Sequence, residues 1–332
     1  MARILVTGGA GYVGAVSVEA FLEAGHDVIV LDDLSTGHRS AVPDGARLIV
    51  GDYGDRAITA AVFAEESIDA ILHCAARSLV GESLADPARY FADNVAGGIV
   101  LLEAARTAGV VRFVLSSTAA VYGTPDATPI PEDAPLGPIN PYGETKRTFE
   151  AMLGWYGRAY GFRSVSLRYF NVAGATEAIG EDHDPETHLI PTILAAAAAN
   201  LPVTVFGDDY PTRDGTNVRD YIHVADLADA HLRAIDATAP GDARIGDGLL
   251  VCNLGNGDGS SNLEVLRAAE EIVGRPIAVE MGPRRIGDPP TLVASAARAG
   301  EVLGWRPQRP SLTEMVGSAW AWRQAHPGGY PD

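Results

Sequence analysis

Cysteine and positive charge are scarce in this chain. The 332 residues include two cysteines, Cys74 and Cys252, which lie far apart and within apolar runs. This usage is typical of buried thiols in a reducing compartment and not of a disulfide framework. Lys and Arg number 25 against 43 Asp and Glu, which gives a formal net charge of −18. Without a basic block, the chain is not expected to bind nucleic acid, and an anionic ligand needs local cations and backbone N–H groups.

Long apolar runs are missing too. No segment reaches the ~20 residues that a membrane-spanning helix needs, so we expect no membrane partner. The N-terminus leads directly into the apolar run Ile4-Leu5-Val6, which predicts that there is no signal peptide. We therefore predict a cytoplasmic protein. Its length suits one large domain or two modest ones.

A glycine-rich turn follows the first apolar run. Gly8, Gly11 and Gly14 stand between the run Arg3–Thr7 and a helical pattern. In a dinucleotide-binding turn the first glycine permits the tight turn, the second lets backbone approach a pyrophosphate, and the third lets helix pack on strand. The next apolar run ends about 20 residues later at Asp32, where a carboxylate can bind the adenosine ribose hydroxyls. With no arginine beside it, this acid predicts NAD and not NADP.

The alternation of apolar runs and helical stretches continues along the chain. We predict further strands at residues 47–52, 69–74, 111–117 and 164–169, and helices at 87–107 and from 142 onward. Repeated β-α-β units with unbroken apolar strands predict an α/β fold, a parallel doubly wound sheet of the Rossmann type. Proline-rich turns and short strands after Asn171 predict a smaller second α/β domain. The predicted boundaries are 1–170, with 217–240 packing back on it, and 171–332.

Tyr142 and Lys146 stand four residues apart in a helix-favouring run, so they share one face of the predicted helix. A lysine ammonium ~6 Å from a phenol favours the phenolate by roughly 3 kcal/mol, or about two pKa units. An oxidised nicotinamide ring nearby would lower the phenol pKa further. The pair therefore predicts a base for the proton of a sugar or alcohol hydroxyl. No cluster of His, Cys or acidic residues has a metal-binding spacing, so we predict no metal site.

These motifs resemble the extended short-chain dehydrogenase/reductase superfamily and, within it, the UDP-galactose 4-epimerases, also called UDP-glucose 4-epimerases. The resemblance covers nearly the whole chain. Its most specific segments are residues 7–14, 80–83, 141–146, 167–171, 206–212, 218–224 and 326–332.

The resemblance implies a redox reaction with no net oxidation. Tyr142 as phenolate takes the proton of the sugar 4-hydroxyl while the C4 hydride passes to tightly bound NAD, and the 4-ketose then accepts the hydride on its other face. Thr118 shares the proton by a hydrogen bond, and Lys146 polarises Tyr142 and holds the nicotinamide ribose. The family also typically forms homodimers through two helices, which in this chain correspond to Tyr90–Thr107 and Lys146–Tyr160.

The implied cofactor contacts are Gly8, Gly11, Tyr12, Val13, Gly14, Asp32, Asp33, Thr36, Asp52, Tyr53, Cys74, Ala75, Ala76, Ser78, Asn94, Ser116, Tyr142, Lys146 and Phe170. The implied contacts to a UDP-hexose substrate are Thr118, Tyr142, Asn171, His188, Leu189, Phe206, Arg219, Arg285 and Asp288. The two arginines are the cations that an acidic protein needs for a diphosphate. The second domain is accordingly predicted to bind the nucleotide sugar.

The chain departs from the family pattern at three places. Ser78, with Arg77 beside it, stands where many relatives carry a lysine near the cofactor phosphates, and His188 replaces a common asparagine. Leu292 occupies the position that sets the size of the sugar pocket, where a tyrosine in some relatives excludes N-acetylated sugars.

Two other functions compete with epimerisation. A nucleotide-sugar 4,6-dehydratase shares the glycines and the Tyr/Lys pair, but it needs an additional pair of carboxylates where this chain has Ala119 and Ala120. A non-catalytic nucleotide-sugar regulator could keep the fold alone. Retention of Thr118, Tyr142 and Lys146 together argues against a regulator, since a sensor has no need of a base.

Overall fold

The computed structural model describes residues 1–246, 248–285 and 288–332. Its strands are β1 (Arg3–Thr7), β2 (Asp27–Asp32), β3 (Arg47–Val50), β4 (Ala70–His73), β5 (Arg112–Thr118), β6 (Arg163–Tyr169), β7 (Asn171–Ala173), β8 (Val203–Phe206), β9 (Val218–Arg219), β10 (Tyr221–His223), β11 (Leu249–Leu254), β12 (Ser260–Ser261), β13 (Val279–Gly282) and β14 (Thr291–Leu292). Its α-helices are α1 (Tyr12–Glu23), α2 (Arg56–Glu65), α3 (Val80–Ala85), α4 (Pro87–Tyr90), α5 (Gly97–Thr107), α6 (Pro141–Tyr160), α7 (Leu189–Ala199), α8 (Val224–Ala237), α9 (Asn262–Val273) and α10 (Leu312–Ala325).

The main sheet has seven strands among the described residues, in the order β11-β6-β5-β4-β1-β2-β3. Every neighbouring pair in it is parallel. The order turns at β1, from which β2 and β3 extend one way and β4, β5 and β6 the other. Because ligands of open α/β sheets bind outside the carboxyl ends of strands at such a turning point, this order places the site beside the glycine turn after β1. The predicted doubly wound α/β sheet is confirmed.

Both faces of the sheet are buried, which explains the unbroken apolar strands. In β1, Ile4 and Val6 belong to the core beneath α1 and α8, whereas Leu5 belongs to the core beneath α2, α5 and α6. All three side chains are fully buried. A strand covered on both faces needs apolar side chains at every position, so it shows no alternation with polar residues.

The predicted helix over 87–107 is divided into three parts. Between α4 and α5, Phe91–Ala96 forms a π-helical segment, with wider hydrogen-bonded turns than an α-helix. Asn94 lies in this segment and is buried. Its side-chain amide accepts from Arg77 N at 2.9 Å and donates to Thr145 Oγ1 at 3.1 Å. Such π segments concentrate at functional sites, and this one joins the loop after β4 to α6.

The segment after β6 builds a second packed region and also returns to the sheet. Helices α7, α9 and α10 enclose their own apolar core, with short strands beside them. Helix α8 packs against α1 and the sheet, and β11 pairs with β6. Helix α8 lies within residues 217–240, which were predicted to pack back on the first domain, whereas β11 lies within the predicted second domain. The division at residue 170 stays a prediction.

The C-terminal residues lie against the first part of the chain. The Asp332 carboxylate accepts hydrogen bonds from the backbone N–H and the hydroxyl of Ser40. The rings of Tyr330 and His38 stack with centroids 4.8 Å apart. These contacts fasten the loop that follows β2. Across the three described ranges, no helix combines the length and the hydropathy needed to cross a membrane.

Candidate active site

The glycine turn has the geometry of a dinucleotide-phosphate cradle. Gly8 has a φ of +74°, and a Cβ there would lie 2.5 Å from Ala75 N. A Cβ on Gly14 would lie 2.0 Å from Gly8 O, whereas one on Gly11 would meet only Gly8 O, at 3.6 Å. Gly8 and Gly14 are therefore required by close backbone packing, and Gly11 leaves space on the outer side.

Helix α1 begins at this turn with no side-chain cap from Gly11. The first N–H groups of a helix have no partner within it, and its N-terminus carries a partial positive charge, so an anion is a suitable ligand here. The Tyr12 hydroxyl donates to Gly174 O at 2.5 Å, and Val13 packs into the core beside it. The turn therefore fits a pyrophosphate held by backbone N–H groups.

Asp32 ends β2 next to this turn. One carboxylate oxygen accepts from Ala10 N and the other from Leu34 N, each at 2.9 Å. Burial raises the pKa of the Asp32 carboxyl, and the two N–H groups oppose that shift. The carboxylate is thus fixed in orientation beside the phosphate cradle, as a ribose ligand must be. Asp33 and Thr36, in the loop that follows, are exposed.

The ends of β3 and β4 supply the next group of predicted cofactor residues. Asp52 is exposed, and the Tyr53 hydroxyl donates to Asp93 O at 2.7 Å. Cys74 N and Ala75 N both donate to Thr7 O, which holds the Cys74-Ala75-Ala76 segment against β1. The glycine turn and this segment therefore form one continuous edge.

The structure shows the surroundings of Ser78 and Arg77, where this chain departs from the family pattern. Ser78 is exposed. The Arg77 guanidinium forms an ion pair with Asp93. Arg77 is thus held beside the π-helical segment, and the proposal that it replaces a family lysine at the cofactor phosphates stays a prediction.

Helix α6 positions the Tyr/Lys pair. Asn140 caps the helix by accepting from Gly143 N at 2.9 Å, and Pro141 occupies the first turn, where its missing N–H costs nothing. Lys146, one turn after Tyr142, is buried, and its Nζ donates to Ser116 O at 2.7 Å. Burial lowers the pKa of Lys146 to about 8, against the opposing effects of nearby Cys74 and Glu150.

The pKa of Tyr142 differs from the sequence-based expectation. Burial raises the pKa of the Tyr142 phenol, and its hydrogen bond with Thr118 opposes that shift. We expected Lys146 to lower this pKa, but its ammonium is directed to the Ser116 carbonyl, so burial dominates. Thr118 Oγ1 accepts from Ala120 N at 3.2 Å, which leaves the hydroxyl proton for the Tyr142 oxygen.

Two residues close to this pair, Tyr169 and His231, were not predicted from the sequence, whereas Ser116, which contacts both, was predicted as a cofactor contact. Tyr169, at the end of β6, is near Tyr142, and the Ser116 hydroxyl bonds to it; burial raises its pKa. Ser116 Oγ also lies 3.0 Å from Nε2 of His231. Residues 167–171 were recognised as part of the family resemblance, but nothing in their sequence indicates that Tyr169 lies next to Tyr142.

The predicted substrate residues form a second group. Arg219 of β9 forms an ion pair with Asp288, and the Arg285 guanidinium lies 4.3 Å from the centroid of the Phe206 ring. Asp288 N donates to Arg285 O at 3.3 Å, which connects the two contacts. The four side chains thus form one group, in which Arg285 is exposed and Arg219 is largely buried against Asp288.

The residues around Tyr142 and the residues around Arg219 are linked by the chain where β6 continues into β7. Asn171 N donates to Asp220 O at 3.0 Å, next to Arg219. Phe170 and Leu292 pack on a small core that includes Tyr122. The chain therefore leads within three residues from Tyr169, beside the base, to the neighbourhood of the arginines.

His188 caps the start of α7 next to Leu189, and it belongs to a cluster of metal-ligating residue types, so the prediction of no metal site stays a prediction. Glu181, His183, Glu186 and His188 present ligand atoms that all lie within 4.8 Å of one another. Burial lowers the pKa of both imidazoles, but the facing carboxylates of Glu181 and Glu186 outweigh it and raise the pKa of His183 to about 9 and of His188 to about 10. The spacing Glu-x-His-x-x-Glu-x-His matches none of the common metal motifs, so this cluster could not be recognised before the loop was seen folded. The predicted substrate contact of His188 stays a prediction.

The geometry defines a class of protein. A phosphate cradle, a ribose-type carboxylate and a Thr-Tyr-Lys set at the carboxyl ends of parallel strands are the parts of an NAD-dependent enzyme that moves a hydride and a proton at a hydroxyl-bearing carbon. The family model of the NAD dependent epimerase/dehydratase family matches residues 4–246, and the chain belongs to that family.

Individual relatives are similar to this chain over its whole length. The chain is 49% identical to the UDP-glucose 4-epimerase of Lacticaseibacillus casei, over 99% of each sequence. It resembles a solved UDP-glucose 4-epimerase with a TM-score of 0.95 and 45% identity, over 99% of this chain and 100% of the other. The UDP-glucose 4-epimerase of Bifidobacterium longum, crystallised with NAD+ and UDP, gives a TM-score of 0.92 and 38% identity, over 99% and 100%.

Proposed function

We propose that this protein interconverts UDP-galactose and UDP-glucose by epimerisation at C4 through a 4-keto sugar, with tightly bound NAD. The observation that carries the proposal is the meeting of Thr118, Tyr142 and Lys146 beside an NAD-type cradle. Similarity to UDP-glucose 4-epimerases over the whole chain supports it.

Tyr142 is the proposed acid and base. Its oxygen accepts the proton of the 4-hydroxyl as the ketone forms and returns it when the alcohol is restored. NAD, when bound, supplies the hydride acceptor and donor at C4. Because burial raises the Tyr142 pKa, the phenol is neutral at rest. Deprotonation therefore has to be favoured by groups that act during the reaction.

Thr118 and Lys146 assist this proton transfer. The Thr118 hydroxyl donates to the Tyr142 oxygen and so stabilises the phenolate more than the phenol. Lys146 has a pKa of about 8, so it is mostly charged at pH 7. Its bond to Ser116 O uses one of its three N–H groups, which leaves two to hold ribose hydroxyls.

The arginine group is proposed to hold the UDP moiety while the sugar turns over. Arg219 and Arg285 supply the positive charge that a diphosphate needs in a chain of net charge −18. The ring of Phe206, already stacked with Arg285, adds a flat apolar surface. Fixing the nucleotide and leaving the hexose loosely held allows either sugar face to meet the hydride.

The direct test uses purified protein and UDP-galactose with no cofactor added. We expect UDP-glucose to accumulate, measured by anion-exchange chromatography, until the two sugars reach equilibrium. Tyr142→Phe keeps the shape and removes the proton acceptor, so turnover should fall by about 10²–10⁴-fold while UDP affinity stays nearly unchanged. Conversion that requires added NADPH, or a variant that keeps a tenth of the activity, would contradict the proposal. A dehydratase would instead give a 4-keto-6-deoxy sugar, for which Ala119 and Ala120 provide no carboxylate.

We also propose a homodimer that forms through α5 and α6. Of the apolar residues in the two helical stretches, Tyr90, Leu102, Phe149 and Leu153 are buried in the core of this chain, so they cannot form an interface. Four others are exposed, Phe91, Ile99, Trp155 and Tyr160, with Trp155 at 66% of its surface. Aromatic side chains of this kind are enriched at interface cores.

The remaining proposals concern the domains and the compartment. The division into an NAD-binding part and a nucleotide-sugar-binding part is supported by the separate core of α7, α9 and α10. Both cysteines are free thiols, which supports a cytoplasmic location. The acidic charge supports the expectation that nucleic acid is not a partner.

A further inference from the structure

Four metal-ligating side chains face one another in the segment that precedes α7. Glu181, His183, Glu186 and His188 alternate between acid and imidazole along eight residues, which we call the Glu181–His188 loop. Nδ1 of His183 lies 3.3 Å from Glu181 Oε1 and 3.8 Å from Glu186 Oε2. Nδ1 of His188 lies 2.8 Å from Glu181 Oε1 and 2.9 Å from Glu186 Oε1. Nδ1 of each histidine therefore lies within 4 Å of both carboxylates.

These separations suit a tetrahedral zinc ion. Zinc binds His nitrogen and carboxylate oxygen at about 2.0–2.2 Å, so neighbouring ligands of a tetrahedral site lie roughly 3.3–3.5 Å apart. Oε1 of Glu181 lies 3.3 and 2.8 Å from Nδ1 of His183 and His188, close to that value. The Glu186 carboxylate approaches the two histidines with different oxygens, Oε2 at 3.8 Å and Oε1 at 2.9 Å, and one ligand atom from each of the four side chains lies within 4.8 Å of the others. Two imidazole ligands favour zinc over magnesium or calcium, which prefer oxygen alone.

A buried atom without a partner points to the same centre. Nδ1 of His183 is buried and has no hydrogen bond of acceptable geometry among the described residues, although Glu181 Oε1 is 3.3 Å away. The Glu181 side chain is only 9% exposed. An unpaired imidazole nitrogen directed at a buried carboxylate is costly, and a cation between them would satisfy both.

The Glu181–His188 loop leads into α7 and also contacts the C-terminal residues and His38. His188 is the N-cap residue of α7, next to Leu189. The Asp182 carboxylate accepts from Tyr330 N at 2.8 Å, and Asp182 O lies 3.2 Å from Nε2 of His38. An ion bound to the loop would therefore fix the start of α7 together with the C-terminal residues.

We propose that Glu181, His183, Glu186 and His188 form a divalent-cation site, for which zinc is the preferred ion. The site is structural: all four protein ligands are needed to complete a tetrahedron, so no position is left for substrate. Its role is to hold the Glu181–His188 loop, and it does not depend on the identity of the nucleotide sugar.

The test uses untagged full-length protein, treated with a chelator and freed from it by gel filtration. Zinc is then titrated against a chromophoric zinc chelator. We expect one tight site per chain, not displaced by millimolar magnesium or calcium. Cobalt(II) added in its place should give the intense visible absorption of tetrahedral coordination, a signature that surface carboxylates do not produce.

Two variants and a control locate the site. His183→Ala and Glu181→Gln each remove one ligand, and zinc affinity should fall by roughly 100-fold or more, since even changes to groups that only hydrogen-bond to a metal ligand cost about 10–100-fold. Glu177→Gln, an exposed acid on the same segment, should bind zinc like the wild type. Circular dichroism establishes that each variant is folded.

Thermal unfolding gives an independent measurement. Zinc at roughly 100 times its Kd should raise the Tm of the wild type and of Glu177→Gln by about 3–6 °C, and should leave His183→Ala unchanged. Binding of less than one ion per ten chains, or equal affinity in the wild type and in His183→Ala, would show that the four side chains form ion pairs only. Either result would overturn the proposal.

Discussion

Glu150→Gln tests whether the catalytic helix depends on a buried charge pair. Glu150 lies on α6, one turn after Lys146, and its side chain is 5% exposed. Its carboxylate accepts from Ser117 Oγ at 2.7 Å, from Ser166 Oγ at 2.8 Å, and from Nε and Nη2 of Arg168 at 3.0 and 2.6 Å. An amide would remove the negative charge and place an NH₂ donor among these donors.

The size of the effect follows from what remains for Arg168. Its guanidinium, 4% exposed, would lose its carboxylate but keep the Tyr122 hydroxyl at 2.8 Å and Glu132 O at 3.2 Å. Removing one partner of a buried ion pair costs about 3–5 kcal/mol, and the two remaining acceptors place this case near 3 kcal/mol. For a chain of this size, with an unfolding entropy of about 0.7 kcal/mol/K, that corresponds to a Tm lower by about 4 °C.

Calorimetry at one scan rate and one protein concentration measures this change. The matched control is Glu144→Gln on the same helix, because Glu144 pairs with Arg147 at the surface, with side chains 34% and 46% exposed. Surface pairs contribute about 0–1 kcal/mol, so the control should melt within about 1.5 °C of the wild type. If Glu150→Gln melted together with the control, the assignment of a stabilising buried pair would be wrong.

The same substitution changes the pH profile. Burial lowers the pKa of Lys146 to about 8, and Glu150 opposes that shift. Without the carboxylate the pKa falls further, so Lys146 loses its charge at a lower pH. Since the proposed mechanism needs the ammonium, the alkaline limb of kcat/KM should move to lower pH in Glu150→Gln and stay in place in Glu144→Gln. A limb that moved to higher pH would refute the proposed role of Lys146.

Three further predictions concern cofactor, substrate and assembly. Asp32→Ala should copurify with far less NAD than the one per chain expected of the wild type, measured after acid extraction, because ribose hydroxyls lose a charged acceptor; equal NAD contents would contradict the ribose assignment. Leu292→Tyr should lower the ratio of activity on UDP-N-acetylgalactosamine to activity on UDP-galactose by about tenfold or more, because the larger ring fills the sugar pocket; an unchanged ratio would show that Leu292 does not face the sugar. Ile99→Glu combined with Trp155→Glu should convert a dimer into a monomer of 34.7 kDa by light scattering; a wild type that is itself monomeric would rule out the dimer.

The sheet could be predicted because burial on both faces leaves a direct trace in the sequence. Strands β1, β2 and β4 are apolar at every position between their end residues, and the helices between them separate the runs. The base could be predicted because a spacing of four residues on a helix fixes which side chains share a face.

Long-range geometry could not be predicted in the same way. The run of β11 resembles that of any short strand, and only pairing with β6 places it in the main sheet. The direction of the Lys146 ammonium depends on Ser116, thirty residues away. His183 and His188 face two acidic side chains because of the path of a loop. A loop has no hydrophobic periodicity from which its path could be predicted.

The fastening of Asp332 to Ser40 has a practical meaning for anyone handling this protein. Asp332 and Tyr330 contact the loop that follows Asp32, so a group attached beyond Asp332 would act on that loop. Met1, in contrast, is fully exposed. An affinity tag placed before Met1 is therefore expected to disturb the proposed cofactor site less than one placed after Asp332.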